Sequence, residues 1–327
     1  MIKEALFYEN IDEKTVKCNI CPNHCIIKPG KSGICKIREN IDGKLYLTSY
    51  NEVTSIALDP IEKKPLYHFY PGSYILSIGT NGCNLQCPFC QNWQISTQIT
   101  YRENISIDLL YQLAIEKNSI GIAYTYNEPT VWYEFVLDCS KFFHEKGLKN
   151  VLVTNGYINE DPLLKLIPFI DAVNVDLKGF TKDFYKWIKG DINPVKRSIK
   201  LYYKNNIHVE ITNLVITDKN DDLNKVEEMC KYIASISPDI PLHISRYFPN
   251  YKLDNPPTPL NTLRNCYEIA KNYLHYVYIG NALIEDTSNS YCPHCNNLLI
   301  ERTFYNIKTY IKEPLCPNCK NSLYFVF

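Results

Sequence analysis

From residue 73 onward, short β-rich runs alternate with longer amphipathic segments. The runs are SYILSIGT (73–80), SIGIAYTY (119–126), KNVLVTNG (149–156), DAVNVDLK (171–178), IHVEITNLVI (207–216), IPLHISRYF (240–248) and YVYIGN (276–281). Between them lie IDLLYQLAIEKN, VWYEFVLDCSKFFHEKG, DPLLKLIPFI and LNKVEEMCKYIASI. In the first of these, Leu109, Leu110, Leu113 and Ala114 recur at helical spacing. Gly147 sits where a helix C-cap glycine belongs. Strands alternating with helices predict an α/β fold with a parallel sheet of βα units. Six or seven units are visible, fewer than eight, so the pattern predicts a partial or open TIM-like barrel rather than a closed (β/α)8 one.

The two ends of the chain read differently. Residues 1–70 form a Cys-rich lead-in in which LYLTSY alternates like a strand and Pro and Gly mark loops. Residues 286–327 carry two CPxC knuckles around β-like FYNIKTYI and end in LYFVF. The expected division is therefore an N-terminal Cys-rich domain (1–70), a barrel (71–285) and a C-terminal zinc-ribbon-like domain (286–327). The Pro-rich stretch PNYKLDNPPTPL (249–260) reads as a loop over one end of the barrel. There is no repeat of 20–50 residues and no low-complexity tract.

Composition adds constraints. Lys plus Arg and Asp plus Glu are 35 each, and zero formal charge gives no reason to expect nucleic acid or an anionic membrane as partner. Apolar residues at 45% can fill a sizeable core. The N-terminus MIKEALFYENIDEK is charged and lacks the apolar stretch of a secretory signal. No run of about 18 apolar residues suggests a membrane helix. The fourteen cysteines cluster: four in 18–35, three in 83–90, four in 292–319, with Cys139, Cys230 and Cys266 alone on helical stretches as small buried hydrophobes. CxxC-type spacings in a chain of this size point to metal rather than disulfides. A reducing cytoplasm is the expected setting.

The central motif is GTNGCNLQCPFCQNW (79–93), which holds Cys83, Cys87 and Cys90 in a C-x3-C-x2-C spacing directly after the first β-run. Three thiolates can hold three irons of a [4Fe–4S] cubane and leave the fourth iron open, as catalytic metal sites do. S-adenosylmethionine can chelate that iron through its amino and carboxylate groups, and an electron passed to its sulfonium releases a 5′-deoxyadenosyl radical. Zinc sites use paired hooks, and no nearby fourth cysteine completes one here. Gly79 and Gly82 let the loop fold tightly.

Barrel chemistry lies at the C-terminal ends of strands. There the chain places Glu128 in Tyr126-Asn127-Glu128-Pro129-Thr130, then Thr154-Asn155-Gly156, then Asp176 and Lys178, and later His243 and Arg246. Glu128 suits an ammonium group, Asp176 a ribose, Lys178 a carboxylate, and Arg246 an anionic ligand. Bland readings stand beside these. Glu128 can be a helix N-terminal charge, Asp176 and Lys178 a structural ion pair, 154–156 a turn, and His243 barrel packing.

Together KPLYHFYPGSYILSIGTNGCNLQCPFCQNW, TYNEPT, TNGY and VDLKGF make a sequence that resembles the radical SAM enzymes of the AmmeMemoRadiSam system, relatives of pyruvate formate-lyase activating enzymes. The resemblance covers nearly the whole chain. It implies a partial (β/α)6 radical SAM barrel, one [4Fe–4S] cluster and S-adenosylmethionine (SAM). Glu128 matches the motif that binds the methionyl amine, Asp176 and Lys178 the DLK motif contacting methionyl carboxylate or ribose, and Asn155 a position bordering the cofactor. The usual Gly-Gly-Glu is here Tyr126-Asn127-Glu128, so its acid is kept and its two glycines are not. The implied partners are an electron donor such as ferredoxin or flavodoxin, and MEMO-like and AMMECR-like proteins.

Cys292, Cys295, Cys316 and Cys319 form two hooks twenty residues apart, a zinc-ribbon spacing that a rubredoxin-like iron site shares. Cys18, Cys21, Cys25 and Cys35 can close a zinc site or hold an auxiliary iron–sulfur cluster. His24 and His294 lie between ligands as bystanders. The expected function is reductive SAM cleavage followed by hydrogen abstraction, and the activating-enzyme likeness favours a protein or peptide substrate. A radical enzyme acting on a small aromatic or nucleoside-like molecule is one rival. A non-enzymatic metal-bound scaffold is the other. The sequence assigns no catalytic side chain.

Overall fold

The computed structural model describes residues 1–327. Its centre is one eight-stranded sheet in strictly sequential order. The strands are β1 (Ser55–Pro60), β2 (Tyr74–Gly79), β3 (Gly121–Tyr124), β4 (Lys149–Thr154), β5 (Ala172–Asp176), β6 (His208–Val215), β7 (Leu242–Arg246) and β8 (Val277–Gly280). Strands β2 to β8 are parallel, while β1 runs antiparallel on the outer edge of β2. The register sets Ile122 opposite Leu76, Val151 opposite Ala172, and Leu242 opposite Val277. These runs are almost continuously apolar and buried, as expected of parallel strands covered on both faces.

Six crossovers join the seven parallel strands, and the sheet ends at β1 and β8, which do not pair with each other. All seven β-runs read from the sequence become strands, each trimmed by a few residues. The crossovers carry helices α1 (Ile107–Glu116), α2 (Tyr133–Glu145), α3 (Glu160–Leu166), α4 (Ile192–Lys204), α5 (Leu223–Ala234) and α6 (Leu260–Lys271). Side-chain caps start several of them. Ser106 accepts from the Leu109 N–H, Asp191 from Asn193 and Asp222 from Asn224. Gly147 closes α2 at φ +74°, the left-handed position where a Cβ is costly. In α1 the buried residues are Leu110 and Ala114, while Leu109 faces solvent; the inward stripe is narrower than the sequence suggested.

The N-terminal half of the sheet's inner face is plugged by the loop before β2, with Pro65, Tyr67 and His68, and by the C-terminal residues Tyr324 and Phe325. Glu210, fully buried, accepts the N–H groups of Tyr67 (3.0 Å) and His68 (2.8 Å) and contacts His208 (3.1 Å) and His243 (2.7 Å). Burial pushes this carboxyl up, but the histidine hydrogen bonds overcome that and hold it well below its ordinary range. His68 stacks on Phe325 and reaches Tyr278, and Asn174 donates to the Pro65 carbonyl. His243 thus belongs to barrel packing, the blander of its two readings.

Two small antiparallel sheets precede the barrel: Tyr8–Asn10, Val16–Cys18 and Ile26–Ile27, and Lys3–Glu4, Lys44–Leu47 and Arg38–Ile41. Their apolar residues, among them Val16, Ile20, Ile37 and Leu47, join the same core as the barrel helices. Arg38, buried, pairs with Glu134 of α2 through two bonds of 3.2 and 2.6 Å. Residues 55–60 of the lead-in pair directly with β2. At the other end, Ser290–Tyr291, Leu298–Thr303 and Asn306–Thr309 form a three-stranded sheet with its own core of Leu299, Ile300, Ile311 and Leu323 against Tyr276 and Tyr278. No helix is long and apolar enough to cross a membrane.

Candidate active site

The loop after β2 carries Cys83, Cys87 and Cys90, and it is held from several directions. Asn127 accepts the Thr80 N–H at 3.0 Å and donates to the carbonyls of Asn81 and Gly82. Gly82 sits at φ +96°, and a Cβ there would lie 2.5 Å from the Cys35 carbonyl oxygen, so only glycine fits. Gln86 N–H donates to Ile188 O at 2.9 Å, and Phe89 packs on Phe184 and Trp187. Cys87 is buried; Cys83 and Cys90 are half-buried. The Cys83 sulfur accepts the Leu85 N–H at 3.5 Å and the Asn155 side-chain amide at 3.8 Å. Burial raises the Cys87 thiol to about 12 despite the pull of Lys178, and burial and Glu128 raise Cys83. Thiols this reluctant to ionise become thiolates when a metal replaces the proton.

The polar strand exits gather around this loop. Glu128 leaves β3 with its carboxylate buried. It accepts Thr130 N–H (3.0 Å), Thr130 Oγ1–H (2.7 Å), Thr154 Oγ1–H (2.7 Å) and Asn155 N–H (2.8 Å). Burial pushes its carboxyl up, and those donors work against it. Glu128 therefore also caps the short turn Pro129–Trp132, so its bland reading is realised too. Asn155, at the exit of β4, donates its side-chain amide to Cys83 Sγ and Asn84 Oδ1 while its Oδ1 accepts Tyr157 N–H at 2.8 Å. Asp176 and Lys178, at the exit of β5, form an ion pair of 3.0 Å beside Cys87. Burial alone would lower the lysine; Asp176 and the Cys87 thiol outweigh it and raise it.

Tyr126 occupies the first of the two replaced glycine positions and still takes a left-handed φ of +70°. Its hydroxyl donates to Asp59 at 2.6 Å, and the Lys64 ammonium lies 4.7 Å from its ring centre. These contacts supply the restraint that a glycine would leave to the backbone. Arg246 ends β7 apart from this group. It donates to the Thr258 carbonyl at 2.8 Å and lies over Phe248. The Pro-rich loop does reach the cysteines: Lys252 N–H donates to Pro88 O at 2.9 Å, and Tyr251 stacks on Trp93.

The sequence names Asn127, Thr130 and Thr154 only as neighbours of Glu128 and Asn155, and it gives no role to Asn84 or to Tyr185, whose hydroxyl receives the Lys178 N–H at 3.3 Å. Proximity to Cys83, Glu128 and Lys178 was the signal available; the side chains' directions were not.

The outer cysteines differ in spacing. The C-terminal four have sulfurs all within 4.8 Å of one another, with Cys292–Cys319 and Cys295–Cys316 at 3.6 Å. A tetrahedral ion with bonds of about 2.3 Å spaces four sulfurs by roughly 3.8 Å. Asn321 donates backbone and side-chain N–H to Cys319 and lowers its thiol. The N-terminal four wall a single apolar pocket with Ile20, Ile27 and Arg38. Cys139, Cys230 and Cys266 are fully buried.

Comparison with known proteins agrees with this geometry. The family model described as the radical SAM superfamily matches residues 77–233. An uncharacterized protein of Methanocaldococcus jannaschii is 46% identical, over 98% of this chain and 97% of its own length. The pyruvate formate-lyase-activating enzyme of Clostridium pasteurianum is 27% identical over 47% of this chain and 68% of its own. The crystal structure of Streptococcus suis SuiB bound to precursor peptide SuiA superimposes with a TM-score of 0.52 at 13% identity, covering 68% of this chain and 51% of that one.

Proposed function

Because the chain belongs to the radical SAM superfamily and is related to the activating enzymes, we propose that it acts as the radical SAM enzyme of an AmmeMemoRadiSam system, with a protein or peptide as substrate. In this family a [4Fe–4S] cluster and SAM supply the chemistry, the reductive release of a 5′-deoxyadenosyl radical that abstracts hydrogen. The residues present fit such a group: three thiols share one loop, with amide donors aimed at the Cys83 sulfur.

In our reading Cys83, Cys87 and Cys90 bind three irons. Glu128 and Asn155 hold the methionyl end of SAM. The Asp176–Lys178 pair meets its carboxylate or ribose, and Arg246 faces a more distant anionic part. The observation that carries the reading is the gathering of Glu128 and Asn155 against Cys83, and of Asp176 and Lys178 against Cys87, from three successive strand exits. The C-terminal cysteines bind a structural zinc in a ribbon-like domain (286–327), beside an N-terminal domain (1–70) and the barrel (71–285). The enzyme works in a reducing cytoplasm, takes electrons from a ferredoxin or flavodoxin, and meets MEMO-like and AMMECR-like proteins.

The test is anaerobic reconstitution followed by measurement of 5′-deoxyadenosine. Wild-type protein, reduced, forms it, and a candidate protein partner accelerates it. Cys87→Ala loses both the cluster's visible absorbance and the product. Retained cleavage in Cys87→Ala would remove the assignment, and stimulation by small molecules alone would move the substrate to that class.

A further inference from the structure

Cys18, Cys21, Cys25 and Cys35 converge on one pocket, walled otherwise by Ile20, Ile27, Gly33, Ile34, Arg38, Val131 and, at its edge, Asn84. Four thiols around an apolar pocket make a metal site, and their spacing decides its size. The C-terminal four are drawn within 4.8 Å of one another, close to what one tetrahedral ion requires. Neither the N-terminal four nor the central three form such a tight group. A cubane places four irons and four sulfides between its cysteines, so its thiolates stand further apart than those on one ion.

Its position is equally specific. Asn84, the residue after Cys83, lines this pocket and receives on its carbonyl the Asn23 side-chain amide at 2.7 Å. Asn23 lies between Cys21 and Cys25. Gly82, the residue before Cys83, lies against the Cys35 carbonyl. The two cysteine groups therefore touch on both sides of Cys83. Asn155 adds a link, bonding Asn84 Oδ1 at 2.9 Å and Cys83 Sγ at 3.8 Å.

From this we infer that Cys18, Cys21, Cys25 and Cys35 hold a second, fully cysteine-ligated iron–sulfur cluster adjoining the first, and not a zinc ion. The inference concerns the neighbour of the site proposed above, and it can stand or fall separately. The pocket's four thiols leave no iron open, so this cluster does not bind SAM.

Iron, sulfide and zinc counts on the full chain, reconstituted anaerobically, with electron paramagnetic resonance of the reduced protein, test it. Wild type should hold about eight irons. Cys83→Ala/Cys87→Ala/Cys90→Ala should keep roughly four, with a spectrum indifferent to SAM. Cys18→Ser/Cys21→Ser should also keep roughly four, with a spectrum that SAM changes. Wild type with about four irons, all lost in the triple variant, and zinc retained at the N-terminal site would overturn the second cluster while leaving the central reading intact. Iron kept in full by the triple variant but lost from Cys18→Ser/Cys21→Ser would do the reverse. Should the triple variant not fold, the Cys18→Ser/Cys21→Ser variant decides alone: an iron content equal to wild type overturns the inference.

Discussion

Glu128 serves two structures with one carboxylate. Four donors from Thr130, Thr154 and Asn155 fix its rotamer, and it faces Cys83. A carboxylate held this way keeps lone-pair capacity for one more donor and loses little entropy when that donor arrives. Glu128→Gln keeps the shape and removes the charge, and its amide group adds donors beside the Thr130 and Asn155 N–H groups that now face an acceptor. A hydrogen bond to a charged group contributes about 1.5–3 kcal/mol, so SAM affinity should fall roughly 10- to 100-fold with iron content unchanged. Isothermal titration with SAM checks this; wild-type affinity in the variant would show that Glu128 only caps its turn. The same residue shows where sequence reading stops. Its position at a strand exit and its turn-capping charge are legible in the sequence, but its four simultaneous bonds depend on Thr154 and Asn155 arriving from the next strand.

Elements with a strong local signal were legible. The seven parallel strands and the crossover helices α1, α2, α3 and α5 follow from apolar periodicity, and Gly147 marks the end of α2. Less legible was β1, because Ser55–Pro60 has a weak pattern and owes its strand geometry to pairing with β2. The apolar stripe of α1 includes both Leu109 and Leu110, and two adjacent leucines cannot say which one faces inward; Leu110 does. The C-terminal hooks were legible as spacing, and the strands Leu298–Thr303 and Asn306–Thr309 between them double the chain back so that their sulfurs meet. This C-terminal element has a small core of its own, so a metal held by these four cysteines would contribute much of its folding free energy. Cys316→Ala should lose about one zinc per chain and several degrees of melting temperature, while central-cluster absorbance survives. Zinc content equal to wild type in the variant would refute a zinc ribbon.

At the scale of the whole molecule, the loop before β2 and the C-terminal residues close the N-terminal side of the sheet while the C-terminal side keeps the cysteine loop and polar strand exits together. The buried Glu210 network does the first job. Its polar groups are satisfied by His208, His243, Tyr67 and His68, so it holds the plug in one register and leaves chemistry to the other edge. The sequence carried the location of the active edge, because strand exits follow from chain order. It could not carry the plug, which joins residues as distant as Tyr67, Glu210 and Arg302. The central claim is an iron left open by three cysteines and occupied by SAM. The most direct measurement is pulsed paramagnetic resonance of the reduced protein with SAM carrying magnetic isotopes in its amino and carboxylate groups. The account predicts hyperfine coupling from both groups to the cluster, lost in Cys87→Ala. A cluster that shows no coupling to either group, or zinc on Cys83, Cys87 and Cys90 in an oxygen-free preparation, would contradict it.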